Sequence, residues 1–438
     1  MAYSWLTLAD AKKQLAARLA DPGNVFWIDD ELAHYIREGL RVWNALTFTW
    51  KTQFTFTIPA AAPTQWYSLG ALTGSPRLRL TLDTNLYTYL QYHLLEPPTG
   101  GTWTGTSQFS IDDLAFALRR CLDEAIQAAN CNQIQAPPVP SIPNQRSAVL
   151  DDTWLDVARA LWIPVEGSVV ALVRTDDTAL NYYQSGYLQT PSGTPSQYNL
   201  ASLPPLVLEV DVPPADPGSY DLLVLSSGGP LAPPTDTLLQ VPNDNAWTLK
   251  WGVLADLLDR ESEATDRLRA AYCRQRYTDG LKVLQNTPWV MQAEINGVAA
   301  DLVSVIEMDR YRPDWDSQGP DFQTVVIAGT DTFTVVPDPG FPMSVSLTML
   351  GNAPVPVADT DFIQCSRDVW DAILDYCQFL AAFKQGGAEF TAAQDLEKGF
   401  LATAVATNGR LMKLGLFADL FVQEGGRQGR AQERFRGE

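Results

Sequence analysis

Two stretches of the chain repeat one phrase: FWIDDELAHYIREGL, Phe26–Leu40, and FSIDDLAFALRRCL, Phe109–Leu122. Phe26 matches Phe109, Ile28 matches Ile111, Asp29 matches Asp112 and Asp30 matches Asp113. The first copy then has one extra residue, Glu31. Beyond it Leu32 matches Leu114, Ile36 matches Leu118, Arg37 matches Arg119 and Leu40 matches Leu122. Apolar residues at this spacing form one stripe of a helix. The aspartates suit an N-cap and first turn, where acids accept from unpaired amides and meet the helix dipole favourably. Phe26 and Ile28, like Phe109 and Ile111, are placed to pack back as a hydrophobic staple. The phrase therefore reads as two helix starts rather than a carboxylate metal site. It predicts an α+β fold with helical hairpins, β-rich insertions and internal duplication.

Working outward, Thr7 is a plausible cap before a helix striped by Leu8, Leu15 and Leu19. Asp21-Pro22-Gly23-Asn24 stops it. From Thr47, TFTWKTQFTFTIP alternates as a strand does, and LYTYLQYHLL from Leu86 is a weaker strand candidate. APPVPSIP from Ala136 reads as a stiff extended connector. Further strands are expected at Ser168–Leu172, Leu206–Val212 and Tyr220–Leu225.

Two helical hairpins follow. The first spans about Asp244–Leu284. Trp247, Leu254, Leu257 and Leu258 give one face, Leu268, Tyr272, Tyr277 and Leu281 the other, with a joint at Arg260–Thr265. The second spans about Ser366–Asn408. Its first face carries Trp370, Ile373, Leu374, Cys377 and Leu380, its bend is Gly386-Gly387, and Leu396, Phe400 and Val405 follow. Trp247 aligns with Trp370, Leu257 with Leu380, Ala270 with Ala393 and Tyr277 with Phe400 at one offset. Thr324–Ile327, Phe333–Val336 and Met343–Met349 read as strands between the hairpins. The expected division is 1–135 helical with a β insertion, 136–240 β-rich, 241–310 the first hairpin, 311–423 strands with the second hairpin, and 424–438 a flexible arm. Two intertwined copies of one α+β unit would give this layout.

The bulk properties exclude several classes. Fifty-one acids against 31 bases give a net charge of -20. No Lys/Arg cluster of the kind that neutralises a duplex precedes the last residues. Five cysteines (Cys121, Cys131, Cys273, Cys365, Cys377) form no CxxC pair, and the odd count argues against a disulfide framework. The two histidines, His34 and His93, make no HExxH. No metal or other cofactor is expected. The N-terminus lacks the apolar core of a signal peptide, and no apolar run is long enough to cross a membrane, so folding in a cytoplasm is expected.

TLADAKKQLAARLAD followed by FWIDDELAHYIREGLRVW resembles the start of the head-to-tail connector (adaptor, neck) proteins of tailed bacteriophages. PNDNAWTLKWGVLADLL with RAAYCRQRYTDGLKVL resembles their C-terminal helical part. The matching positions are Asp29, Asp30, Leu32, Ile36, Trp43, Trp247, Leu254, Ala255, Leu258, Tyr272 and Tyr277, all scaffold positions in that family. The resemblance covers about the first 50 residues and Val241–Gln285, and the family's usual member is much shorter. It implies a homo-oligomeric ring of about twelve copies docked beneath the portal protein, closed by rotational symmetry. Other neck or tail proteins would lie downstream, and DNA would pass through the lumen without specific binding. An acidic lumen suits such passage.

The tail EGGRQGRAQERFRGE, from Glu424, gathers Arg427, Arg430, Arg434, Phe435 and Arg436. It is expected not to fold alone. In the connectors it resembles, C-terminal extensions insert into the portal, and arginine suits paired hydrogen bonds to carboxylates. The β-rich middle keeps a tail-tube or baseplate component as the alternative. A carboxylate-based glycan hydrolase is a third reading, without a recognisable acid pair to support it. No catalytic residue is assigned.

Overall fold

The computed structural model describes residues 3–58, 66–69, 79–81, 86, 88–94, 109–183, 186–201, 205–228, 231, 238–260, 265–312, 315, 324–330, 332–336 and 342–417. The fold is α+β. By its internal contacts the chain divides into two compact units, 1–39 with 356–438, and 40–355. This partition departs from the five consecutive segments read from the sequence, because the first and last helices of the chain share a unit.

The first unit is helical. Thr7 caps Leu8–Arg18 by accepting from the Asp10 amide, and Thr7 bridges antiparallel to Phe362. The helix Asp29–Thr47 begins here and continues into the second unit. Arg367–Gln385 and Gly387–Thr407 make the hairpin, with Gly386 at φ 72° in its bend. Ile36, Ile373, Cys377, Leu380, Phe390 and Phe400 are fully buried. Each such aliphatic or aromatic side chain contributes about 1.5–3 kcal/mol of transfer free energy. Gly39 permits the close helix approach: a Cβ there would lie 2.9 Å from Ile373 Cγ2.

The second unit holds both large sheets and the helices Ile111–Ala129, Ala246–Leu258 and Arg267–Asn286. One sheet is built from Lys51–Ile58, Tyr67–Ser68, Val290–Ile295, Val298–Ser304, Thr324–Ala328, Thr332–Val336 and Met343–Leu350. Its last strand alternates, Val345, Leu347 and Met349 inward, Ser344 and Ser346 outward. The sheet curls until Phe56, from one edge strand, lies 5.5 Å from Phe333 near the other edge. Asn296 and Gly297, both at positive φ, form the tight hairpin turn after Ile295. The other sheet is built from Gln133–Gln135, Ser147–Val149, Trp154–Pro164, Val170–Arg174, Gln197–Ala201, Val207–Val210 and Gly218–Ser226. Val157, Trp162, Tyr198, Leu208 and Leu222 are among its core residues.

The two sheets are copies of one topology. Numbered within each copy, the strands lie in the order 1-7-3-4-5-6-2 in both. In both, only the fourth and fifth strands pair in parallel, and a short helix crosses between them, Val305–Tyr311 or Asp177–Tyr183. Ser304 caps the first of these by accepting from the Glu307 amide, and Asp176 caps the second by accepting from Ala179. Register agrees residue by residue. Lys51 faces Leu350 and Thr52 faces Met349, as Gln133 faces Leu225 and Ile134 faces Val224. Even the β-bulge is shared. Met291 is extra between the pairs Val290–Met349 and Gln292–Thr348, and Ala158 is extra between Val157–Val224 and Arg159–Leu223.

The helices follow the same plan. Asp29–Thr47 and Ile111–Ala129 each run 19 residues and lead into the first strand through a residue at positive φ, Phe48 or Asn130. A hairpin follows the seventh strand in each copy. The Thr7–Phe362 bridge has its counterpart in the pairing of Arg79–Thr81 with Leu238–Pro242. The inner copy, about 79–286, is thus inserted whole between the second and third strands of the outer one.

Several expectations are corrected. LYTYLQYHLL is not a strand, since Thr88–His93 is helical. APPVPSIP is extended, as read, but it is more than a connector, because Val139–Ser141 pairs with Gly218–Tyr220 and lengthens the inner sheet. In Arg267–Asn286 the inward face is Ala270, Cys273, Tyr277, Gly280 and Leu284, whereas Leu268 is exposed and Tyr272 and Leu281 are half-buried. The joint residues 261–264 lie outside the described residues.

Candidate functional site

At the outer helix start the staple is not the expected one. Phe26 is 48 % exposed and Ile28 is also exposed, while Trp27 between them is 7 % exposed. Asp21 turns the chain by accepting from the amides of Val25, Phe26 and Trp27 at 2.9–3.1 Å. These bonds hold its carboxyl below the usual range. The helix begins at Asp29, so Asp29 and Asp30 both lie in the first turn rather than at the N-cap. Asp29 and Asp359 both pair with Lys12. Burial alone would lower the Lys12 pKa, but its hydrogen bonds to these two carboxylates outweigh that and raise it. Glu31, the residue the second copy lacks, turns inward and is buried. It accepts from Lys384 Nζ at 2.8 and 2.9 Å and from the Tyr35 hydroxyl. Burial pushes its carboxyl up against the pull of these partners.

The inner helix start follows the staple model more closely. Phe109 is buried and Ile111 half-buried. Ser110, rather than an aspartate, is the N-cap, accepting from the Asp113 amide at 3.2 Å. Asp112 is exposed in the first turn. Asp113 pairs with Arg260, and that hydrogen bond, with the one to Ser110, holds its carboxyl low. Asp113, Phe116, Asp256, Asp259, Arg260 and Arg274 line a cleft of about 350 Å³. Arg120 pairs with Asp256 at 2.7 Å and Arg274 with Asp259 at 3.1 Å. Two-carboxylate hydrolysis needs one acid held protonated beside one ionised. In this cleft the three aspartates each pair with an arginine.

Trp247 and Trp370 are buried packing residues, as expected, and Trp370 Nε1 donates to Gln14 Oε1 at 2.8 Å. Arg427, Arg430, Arg434, Phe435 and Arg436 lie outside the described residues. Among the described residues no group of three or more His, Cys, Asp or Glu could hold a metal, and no helix is long and apolar enough to cross a membrane. All five thiols are buried. Desolvation pushes Cys121 and Cys365 up to about 12 and raises Cys273 and Cys377 as well.

The richest contact that sequence reading missed joins the two copies inside the second unit. In the outer crossover, Val305, Met308 and Trp315 sit on the inner sheet. Arg159 on the third inner strand pairs with Asp309 at 3.3 Å, and its guanidinium lies 4.7 Å over the Trp315 ring. Trp315 Nε1 donates to Asp309 Oδ1 at 2.7 Å. Val305, Met308 and Trp315 share an apolar cluster with Leu223 and the half-buried Ala158 of the inner sheet. Nearby, Thr332 Oγ1 donates to the Gln133 carbonyl at 3.0 Å. Gly329, at φ 62°, lies so close to the Asn130 carbonyl that a Cβ would come within 1.9 Å of it. Only the capping box at Ser304 and Glu307 signalled this crossover in the sequence.

No protein-family model and no curated protein matches the chain.

Proposed function

We propose that this chain is a virion structural protein, a head-to-tail connector that forms a ring on the portal and continues the DNA channel. The observation that carries the reading is the nested duplication. One sheet-and-hairpin module occurs twice, and one copy seats its crossover on the other's sheet. A module built to pack on its own kind suits an assembly subunit better than an enzyme. The resemblance of the helix starts to phage connectors supports the same reading, as does the acidic charge of -20, which discourages DNA from adhering during passage. The arginines after Glu424 supply the portal contact in this scheme.

Purified protein should form ring-shaped particles that bind portal rings, and deletion of Glu424–Glu438 should abolish that binding while leaving the rings intact. A protein that stays monomeric and has no affinity for portal overturns the proposal. The two curled sheets also suit a tail-tube or baseplate component. Microscopy of intact particles separates the two, since density for this chain away from the portal selects the tail.

A further inference from the structure

The outer and inner crossovers occupy equivalent places in their copies. Counting from the matched caps, Ser304 and Asp176, Met308 corresponds to Leu180, Asp309 to Asn181, Tyr311 to Tyr183 and Trp315 to Tyr187. Burial follows the correspondence: Met308, Leu180, Trp315 and Tyr187 are buried, and Tyr311 and Tyr183 are exposed. The surfaces that receive a crossover correspond as well. Through the shared bulge and register, Ala158 matches Met291, Arg159 matches Gln292, and Leu223 matches Thr348.

Among the described residues only one half of this arrangement is filled. The outer crossover sits on the inner sheet through Arg159, Ala158 and Leu223. The inner crossover exposes Tyr182 at 80 %, Tyr183 at 81 % and, just beyond, Leu188. The matching place on the outer sheet presents Gln292 in the open, with Met291 and Thr348 half-buried. Where the filled contact pairs Arg159 with Asp309, the unfilled one sets Gln292 opposite Asn181. Two primary amides can each donate and accept, so this pair is complementary and uncharged.

We infer that the inner crossover of one molecule, carrying Asn181, Tyr182 and Tyr183, docks on the third outer strand of a second copy of this chain, around Met291 and Gln292. The inference rests on the assembly reading above and adds to it the two surfaces that meet. The contact joins different surfaces, so it propagates from copy to copy and either closes into a ring or runs on as a filament. Paired tyrosines suit the centre of such a contact, because they bury a large rigid area with few rotamers to fix.

The test mixes Asn181→Cys protein with Gln292→Cys protein. The buried native thiols remain silent. An arginine–aspartate contact spans more than a disulfide can, so a short bismaleimide is the probe. Cross-linked dimers should form in the mixture and not with either variant alone. Tyr182→Ala/Tyr183→Ala, which changes only exposed side chains, should raise the self-association Kd about tenfold or more while circular dichroism is unchanged. Assemblies that form by sedimentation without the mixed cross-link, or with an unchanged Kd in the tyrosine variant, overturn this interface and leave the ring reading standing. Monomers at every concentration overturn both.

Discussion

Asn44 Nδ2 donates to Asp244 Oδ2 across 2.6 Å, and both side chains are buried. The same carboxylate oxygen accepts from the Ala353 amide at 2.8 Å, and Asn44 also bonds the Gly351 carbonyl and the Trp50 amide. One amide–carboxylate pair thereby ties the end of the Asp29–Thr47 helix to the chain following the seventh outer strand. Desolvation pushes Asp244 up to about 6 from an ordinary 3.8, against the pull of these bonds. The folded state therefore holds this proton more tightly than the unfolded state does. Below pH 3.8 both states are protonated, and the group is neutral in its effect. As pH rises from about 4 to about 6 the unfolded state ionises first, and stability falls by about 3 kcal/mol, roughly two pKa units at 1.36 kcal/mol each. Urea unfolding across this range should show that loss, and Asp244→Asn should flatten it.

The Glu31–Lys384 pair should prove costly to break and cheap to replace. Lys384→Met leaves a buried carboxylate without its cation and should cost about 3–5 kcal/mol. Glu31→Gln combined with Lys384→Met should recover most of that. A double-mutant cycle by denaturant unfolding measures both, and a single variant of wild-type stability would show that the pair contributes nothing.

Gly329 and Gly297 both sit at positive φ but differ in their surroundings. Nothing lies within 4 Å of a Cβ at Gly297, so Gly297→Ala should cost only the left-handed backbone penalty, about 1 kcal/mol. Gly329→Ala adds a collision with a backbone carbonyl that cannot rotate away, and should cost at least about 2 kcal/mol more. Thermal melts of the two variants give the comparison.

The cysteines should be silent in the folded protein. With Cys121 and Cys365 at about 12, only about one thiol in ten thousand is ionised at pH 8. Ellman's reagent should titrate almost none until denaturant is added, then all five. Rapid labelling of native protein would contradict the burial.

Much of the fold was legible because its signals are local. Leu32, Ile36 and Leu40 repeat as Leu114, Leu118 and Leu122, and all six are buried. The alternation at Met343–Met349 and the Gly386-Gly387 bend needed no distant partner to be read. The staple misled because both Phe26 and Trp27 are aromatic, and which one turns inward depends on the Asp21 turn. The short strand Tyr67–Ser68 and the Met291 bulge are defined only by what they pair with. The seat of Arg159 on Trp315 joins residues far apart in the chain, and no periodicity announces it. The crossover surfaces could be found only once two copies could be laid over each other residue by residue.

The insertion of one copy inside the other also sets a timetable for synthesis. Gln133 finds its partner Leu225 well before the chain is finished, and the inner copy is complete once its hairpin ends at Asn286. Lys51 emerges earlier than any of this but must wait for Leu350. Phe54 and Phe56 stay without their sheet throughout that interval, on a strand whose closure carries the large loop entropy of distant pairing. The inner copy is thus able to fold before Leu350, the partner of Lys51, has been made. A ribosome stalled between the two events would carry one mature module beside an apolar strand still seeking its partner, the state most exposed to chaperones and to aggregation.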